Sequence, residues 1–282
     1  MPLRVGSVPY LVARPLTFGL EAEPGIELVQ EVPSRLVERL REGSLDVALA
    51  SSVELFRRDG YRILPSHGIV ADGEVWSVKL YSRRPLPAVR SVSLDVASRS
   101  AAALVRALLA AWTPHRIEYR DLPAGADGAG QGTDAFLRVG DVALAEAAPA
   151  GFEEVDLARA WKELTGFPIV FALWIVRPGT DLGGLEKAFV KAAKRGLKER
   201  PALAEAAATE SGLPADLLRK YLCEVCRYDL KAPGVMEGLL AFRDRAAAAG
   251  ACRGDLKVRN YRAPSPAASE IADDPETASA PE

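Results

Sequence analysis

Short stretches of β-branched and small apolar residues alternate with helical stretches along residues 4–57, break off, and begin again after Arg83-Arg84-Pro85-Leu86-Pro87. Residues 4–10 read as a buried strand running into a Pro-containing loop, and residues 26–32 as a second strand. Residues 33–42 place Leu36, Val37 and Leu40 at helical spacing, with Pro33 where a helix begins and Gly43 where it stops. Residues 45–50 form a short apolar strand, and Ser51-Ser52 then offers a cap to a helix over 53–57. Strands joined by helical crossovers require a partly parallel sheet.

A strand pattern at 75–82 ends the first unit's opening part, and the second unit has strand patterns at 92–96, 117–119 and 135–139. An Ala/Leu-rich helix follows Ala97-Ser98-Arg99-Ser100, and a Gly-rich surface loop covers 123–132. A helix at 156–164 is stopped by Gly166, and residues 169–176 form a return strand. From residue 185 onward the pattern is helical, over 185–200, 202–211, 215–222 and 235–249, and these helices are expected around the first lobe. A unit interrupted by a similar one and then resumed predicts an α/β, two-lobed architecture with a ligand cleft between the lobes. The expected division is 1–84 plus 176–263 for the first lobe and 85–175 for the second. Residues 264–282, rich in Pro, Ala, Ser and acid, are expected to be a disordered tail.

Composition narrows the partners. The 282 residues suffice for two lobes with their own cores. A formal net charge of -2 argues against a nucleic-acid partner, yet permits a local pocket for a small anion. No stretch approaches the roughly 18 apolar residues of a membrane span. The N-terminal segment lacks the pattern of a secretory signal, and the three cysteines are odd in number; both point to the cytoplasm. No G-x-G-x-x-G or P-loop pattern appears, and His67 and His115 are the only histidines, so neither cofactor nor metal is expected. Cys223-Glu224-Val225-Cys226 has no second pair and reads as two ordinary helix cysteines.

The candidate ligand contacts each carry a plainer alternative. Ser98, Arg99 and Ser100 stand where a helix begins, so they form an anion site or simply cap that helix. Ser51 and Ser52 carry the same two readings. Arg14, in the loop after the first strand, can pair with a carboxylate or lie in solvent. On an alternating strand Trp76 and Ser77 point to opposite faces; Ser77 would contact ligand if it faces the cleft, and Trp76 packs in the core or hinge. Gly140 would let a ligand approach the backbone, and Asp141 is a contact or a cap. Thr165 could bind ligand, with Gly166 closing the helix.

Six blocks in order carry a resemblance. They are Arg4 to Leu16, Gly43 to Glu54, Val75-Trp76-Ser77-Val78, Leu94 to Ser100, Val139 to Leu144, and Asp156 to Trp174. The last is the most specific, resembling D-L-x-x-x-W-x-x-x-T-G-x-P-F-V-F-A-x-W with Ile169 in place of the first Phe. Together they resemble the menaquinone-synthesis family that includes chorismate dehydratase. The resemblance implies the type II periplasmic-binding-protein fold, a dianionic substrate, and removal of water from chorismate to give 3-[(1-carboxyvinyl)oxy]benzoate. It places Tyr10 and Val12, in the first block, among the substrate contacts. The family usually has Asn where this chain has Val12, and Val can neither donate nor accept a hydrogen bond. A non-catalytic binder of a small organic anion with the same fold is therefore the alternative. No catalytic residue is assigned.

Overall fold

The computed structural model describes residues 1–123 and 125–263. The predicted tail, 264–282, lies outside the described residues.

Among the described residues, eleven strands form two sheets. The first sheet holds β1 (Leu3–Ser7), β2 (Ile26–Gln30), β3 (Val47–Ser51), β4 (Arg62–Ala71), β10 (Ile169–Val176) and β11 (Arg227–Asp229), in the order β11-β4-β10-β3-β1-β2. β1 runs parallel to β2 and β3, whereas β10 is antiparallel to both β3 and β4. The second sheet holds β5 (Val78–Ser82), β6 (Ser91–Asp95), β7 (Glu118–Leu122), β8 (Ala135–Val139) and β9 (Glu153–Asp156), in the order β7-β6-β8-β5-β9. Each sheet thus joins a parallel part, β2-β1-β3 or β7-β6-β8, to antiparallel strands, β10, β4 and β11 or β5 and β9, and the parallel pairs need crossover connections.

Local chemistry sets the helices. α1 is Arg14–Thr17, and α2 is Pro33–Glu42, the span expected from sequence. In α2 Leu36, Val37 and Leu40 are buried, and Gly43 takes a left-handed backbone that lets Ser44 and Leu45 donate back to the Arg39 carbonyl. α3 (Arg99–Trp112) buries an Ala/Leu face, and α4 is the short turn Asp141–Ala145. α5 (Leu157–Thr165) is capped by Asp156, whose carboxylate accepts from the Ala158 and Arg159 amides. α6 (Glu186–Lys198), α7 (Arg200–Ser211), α8 (Ala215–Lys220) and α9 (Val235–Ala248) follow β10.

Three placements differ from the sequence expectations. First, the chain changes sheet between Ala71 and Val78, not at Arg83–Pro87: residues 78–82 belong to the second sheet. The Arg83–Pro87 break is a turn inside that sheet, held by Asp134, whose carbonyl accepts from Arg83 N and whose carboxylate pairs with Arg84 at 2.7 Å. Likewise β10 lies in the middle of the first sheet, so the return crossing falls before Ile169. Second, Val75–Ser77 are not strand. Trp76 has φ 60°, a left-handed backbone uncommon for a non-glycine residue, and the Asp156 carboxylate holds the bend by accepting from Val75 N (2.9 Å) and Trp76 N (2.8 Å). Third, α9 packs on β10 and also on α3. It bridges both lobes instead of covering the first alone. One hydrophobic core accordingly runs continuously from sheet to sheet. Among the described residues no helix is long and apolar enough to cross a membrane.

Candidate functional site

The carboxyl ends of β1, β3 and β8, the bend at 75–77 and the start of α3 converge on one cleft between the sheets. Its cavity is narrow, about 70 Å³, below the roughly 300 Å³ of a typical small-molecule site. Its polar side chains are Tyr10, Ser51, Ser77 and Ser98; its walls are otherwise apolar, with Val12, Leu49, Ile69 and Phe171 prominent.

Six of the sequence candidates therefore share one cavity: Tyr10, Val12, Ser51, Ser77, Ser98 and Gly140. Gly140 has φ 78°, and a Cβ there would sit 3.2 Å from the Tyr10 ring, so only glycine lets the first lobe's loop approach the second lobe this closely. Burial pushes the Tyr10 phenol up to about 12, with Asp95 and Asp141 nearby adding to the rise, so it stays a neutral donor at neutral pH. Ser98 also caps α3 by accepting from Ala101 N at 3.2 Å.

The other six are placed elsewhere. Ser52 donates to the Val170 carbonyl at 2.6 Å and lies 3.2 Å from the Ser100 hydroxyl, which in turn accepts from Val53 N. Both serines are fully buried, and their polar groups are consumed in joining the turn after β3 to α3. Arg14 forms a two-pronged ion pair with Glu210, on α7, at 3.1 and 2.5 Å. Arg99 reaches towards Glu38 (3.8 Å) along a separate groove with Ser34 and Arg57. Asp141 spans the lobes: both its carboxylate oxygens accept from Leu11 N, at 3.2 and 3.1 Å, and burial raises its pKa. Thr165 bonds to its own helix, donating to the Trp161 carbonyl at 2.8 Å and accepting from Phe167 N.

Sequence reasoning did not single out the apolar wall. Phe171, Ile69 and Leu49 lie on strands, where an apolar residue facing a cleft carries the same signal as one facing the core. His67 pairs in register with Asp229 on β11 and does not line the cleft; His115 bonds the Val89 carbonyl at 2.8 Å on the far side of the second sheet.

Two α/β sheets joined by two crossings, with hydroxyls and strand ends around a shared cleft, define the two-lobed periplasmic-binding-protein fold. A Candida albicans gene product, reported to have the generic periplasmic binding protein structural fold, matches with a TM-score of 0.64 at 14% identity, over 95% of this chain and 99% of that one. A protein of Archaeoglobus fulgidus matches with a TM-score of 0.71 at 17% identity, over 88% of this chain and 98% of that one. In sequence, the menaquinone biosynthesis family model matches residues 3–248. The chorismate dehydratase of Thermus thermophilus is 31% identical over 262 residues, covering 86% of this chain and 94% of that one. The chain belongs to the menaquinone biosynthesis family.

Proposed function

We infer that this chain is a chorismate dehydratase, a hydro-lyase that turns chorismate into 3-[(1-carboxyvinyl)oxy]benzoate and water in the cytoplasm. The observation that carries the reading is the cleft: in a chain of this family, three serine hydroxyls and one phenol from both lobes surround a small apolar cavity. The Thermus thermophilus relative supports the choice of reaction. The three unpaired cysteines suit a reducing compartment.

The chemistry asks little of an acid or base. Loss of water makes the ring aromatic, so the protein has chiefly to fix geometry, exclude water and hold two carboxylates. In this reading the C–H bond at the ring carbon bearing the enol ether breaks, and its proton passes to the substrate's own carboxylate. The electron pair becomes the new ring double bond as the adjacent C–O bond breaks, and the departing hydroxide takes the proton as water. Ser51, Ser77 and Ser98 donate to the carboxylates and the leaving oxygen, and Tyr10 closes the cleft over them. Hydroxyls serve here because an apolar wall strengthens each such bond.

Val12 on the cleft wall favours a second reading, a binder of the same anion without turnover. Incubation of the purified chain with chorismate, followed by ultraviolet absorbance and mass spectrometry, separates the two. Appearance of the aromatic enol ether supports the enzyme; binding without product supports the binder. In the enzyme reading Val12→Asn raises kcat.

A further inference from the structure

The C-terminal helices reach the cleft through one side chain. Tyr221 follows α8 at the start of a wide turn, Tyr221–Val225, in which Cys226 N donates to the Tyr221 carbonyl at 2.9 Å across five residues. Such π-type turns recur at functional sites, because the extra residue re-aims a side chain. Here the turned side chain is fully buried, and its hydroxyl donates to Ser77 Oγ at 2.8 Å, joining residues 144 positions apart. Ser77 is also fixed through its backbone: its N–H donates to the Val75 carbonyl (2.7 Å) and its carbonyl accepts from Gly140 N (2.8 Å).

A serine hydroxyl has one proton and two lone pairs. With one lone pair of Ser77 receiving the Tyr221 proton, the Ser77 proton is left to point into the cleft that Ser77 lines. We propose that Tyr221 is a positioning residue, which aims and polarises the Ser77 hydroxyl as a donor to the substrate. The inference rests on the reading of the cleft as the chorismate site. Donation from Tyr221 draws charge from Ser77 Oγ and makes its O–H the better donor, an effect enlarged in a dry surrounding. Burial holds the Tyr221 phenol well above its ordinary pKa, with Cys226 beside it, so the donor persists across the working pH range.

The test is a double-mutant cycle on kcat and KM for chorismate, with thermal unfolding as the folding check. Tyr221→Phe keeps the ring and removes only the hydroxyl. We expect it to lower kcat/KM about tenfold, mainly in kcat, and Ser77→Ala to lower it at least as much. The double variant should be no slower than Ser77→Ala alone, since without Ser77 the phenol has nothing to aim. Tyr228→Phe, another buried tyrosine beside Cys226, should stay within twofold of wild type. A Tyr221→Phe enzyme within twofold of wild type overturns the inference and leaves the functional reading standing. So do losses that multiply in the double variant, which mark a merely structural role. Should Tyr221→Phe fail to fold, 3-fluorotyrosine at position 221 keeps the hydroxyl and strengthens it as a donor; an unchanged kcat then overturns the inference. Wild-type protein that neither binds nor turns over chorismate ends the functional reading, and this inference with it. If it binds without turnover, the same cycle is read in Kd, with the same expectation and the same contradiction.

Discussion

Ser51 and Ser98 stand on the cleft wall, whereas Ser52 and Ser100, one and two positions further along, are turned into the seam beneath it. The two pairs look alike in sequence: each follows a strand and precedes a helical turn. Their fates differ because of phase. Successive residues at a strand end point to opposite faces, and residues two apart in a helix point about 200° apart. One serine of each pair therefore meets ligand space, and the other meets the opposite lobe. The same residue type recognises on one side and fastens on the other. Binding and stability should separate along this line.

The largest effect is expected at Asp156, the main fastener of the crossing. Its carboxylate accepts from Val75, Trp76, Ala158 and Arg159 amides, all at 2.8–3.0 Å. Asp156→Ala should cost about 2–4 kcal/mol in urea unfolding, since it removes both a helix cap and charge-assisted bonds that hold a strained bend. A cost below about 1 kcal/mol would remove Asp156 from the seam. Next come Ser52→Ala and Ser100→Ala, each expected to cost about 1–2 kcal/mol because a buried carbonyl or amide loses its partner. Their costs should not add, since the two hydroxyls share one network. On the cleft side, Ser51→Ala should weaken chorismate binding about five- to tenfold in calorimetry and leave stability within about 0.5 kcal/mol. Ser98→Ala should do both, because Ser98 also caps α3. If Ser51→Ala proved the more destabilising and Ser52→Ala the weaker binder, the division would be inverted.

The smallest effect should lie outside both regions. Asp46, at the foot of the first lobe, has its pKa lowered to about 2: burial would raise it, but hydrogen bonds from Arg4 and Arg177 outweigh that. Its stabilisation is full above the ordinary value of 3.8 and is lost as pH falls through about 2. Asp46→Asn should flatten the acid limb of the stability curve across that window and leave kcat/KM at neutral pH unchanged.

Regular segments were legible from sequence where local signals agreed. α2 has Pro at its start, an apolar stripe and Gly at its end, and it folds over the expected residues. β10 is a continuous apolar run, which only a strand buried on both faces needs. β4 went unread because Pro65 and Gly68 interrupt it, yet it spans ten residues with shifts in register on β10. The crossing was placed too late because Arg83–Pro87 has stronger turn chemistry than Val75–Ser77, where a tryptophan holds the left-handed bend. β11 falls between the expected helices 215–222 and 235–249 and went unread, and the wide turn before it was read as helix, since nothing local announces an inserted residue. In the site, serines and Gly140 were legible as hydroxyls and a tight approach. Arg14 was not, because its partner Glu210 lies 196 residues away.

A crystal structure of the chain grown with 3-[(1-carboxyvinyl)oxy]benzoate tests the central claim most directly. The account predicts that the product lies between the lobes, with its oxygens on the hydroxyls of Ser51, Ser77 and Ser98 and its ring against Phe171 and Val12. Product bound instead in the outer groove of Arg90, Arg106 and His115, with the cleft between the sheets left to solvent, would contradict it.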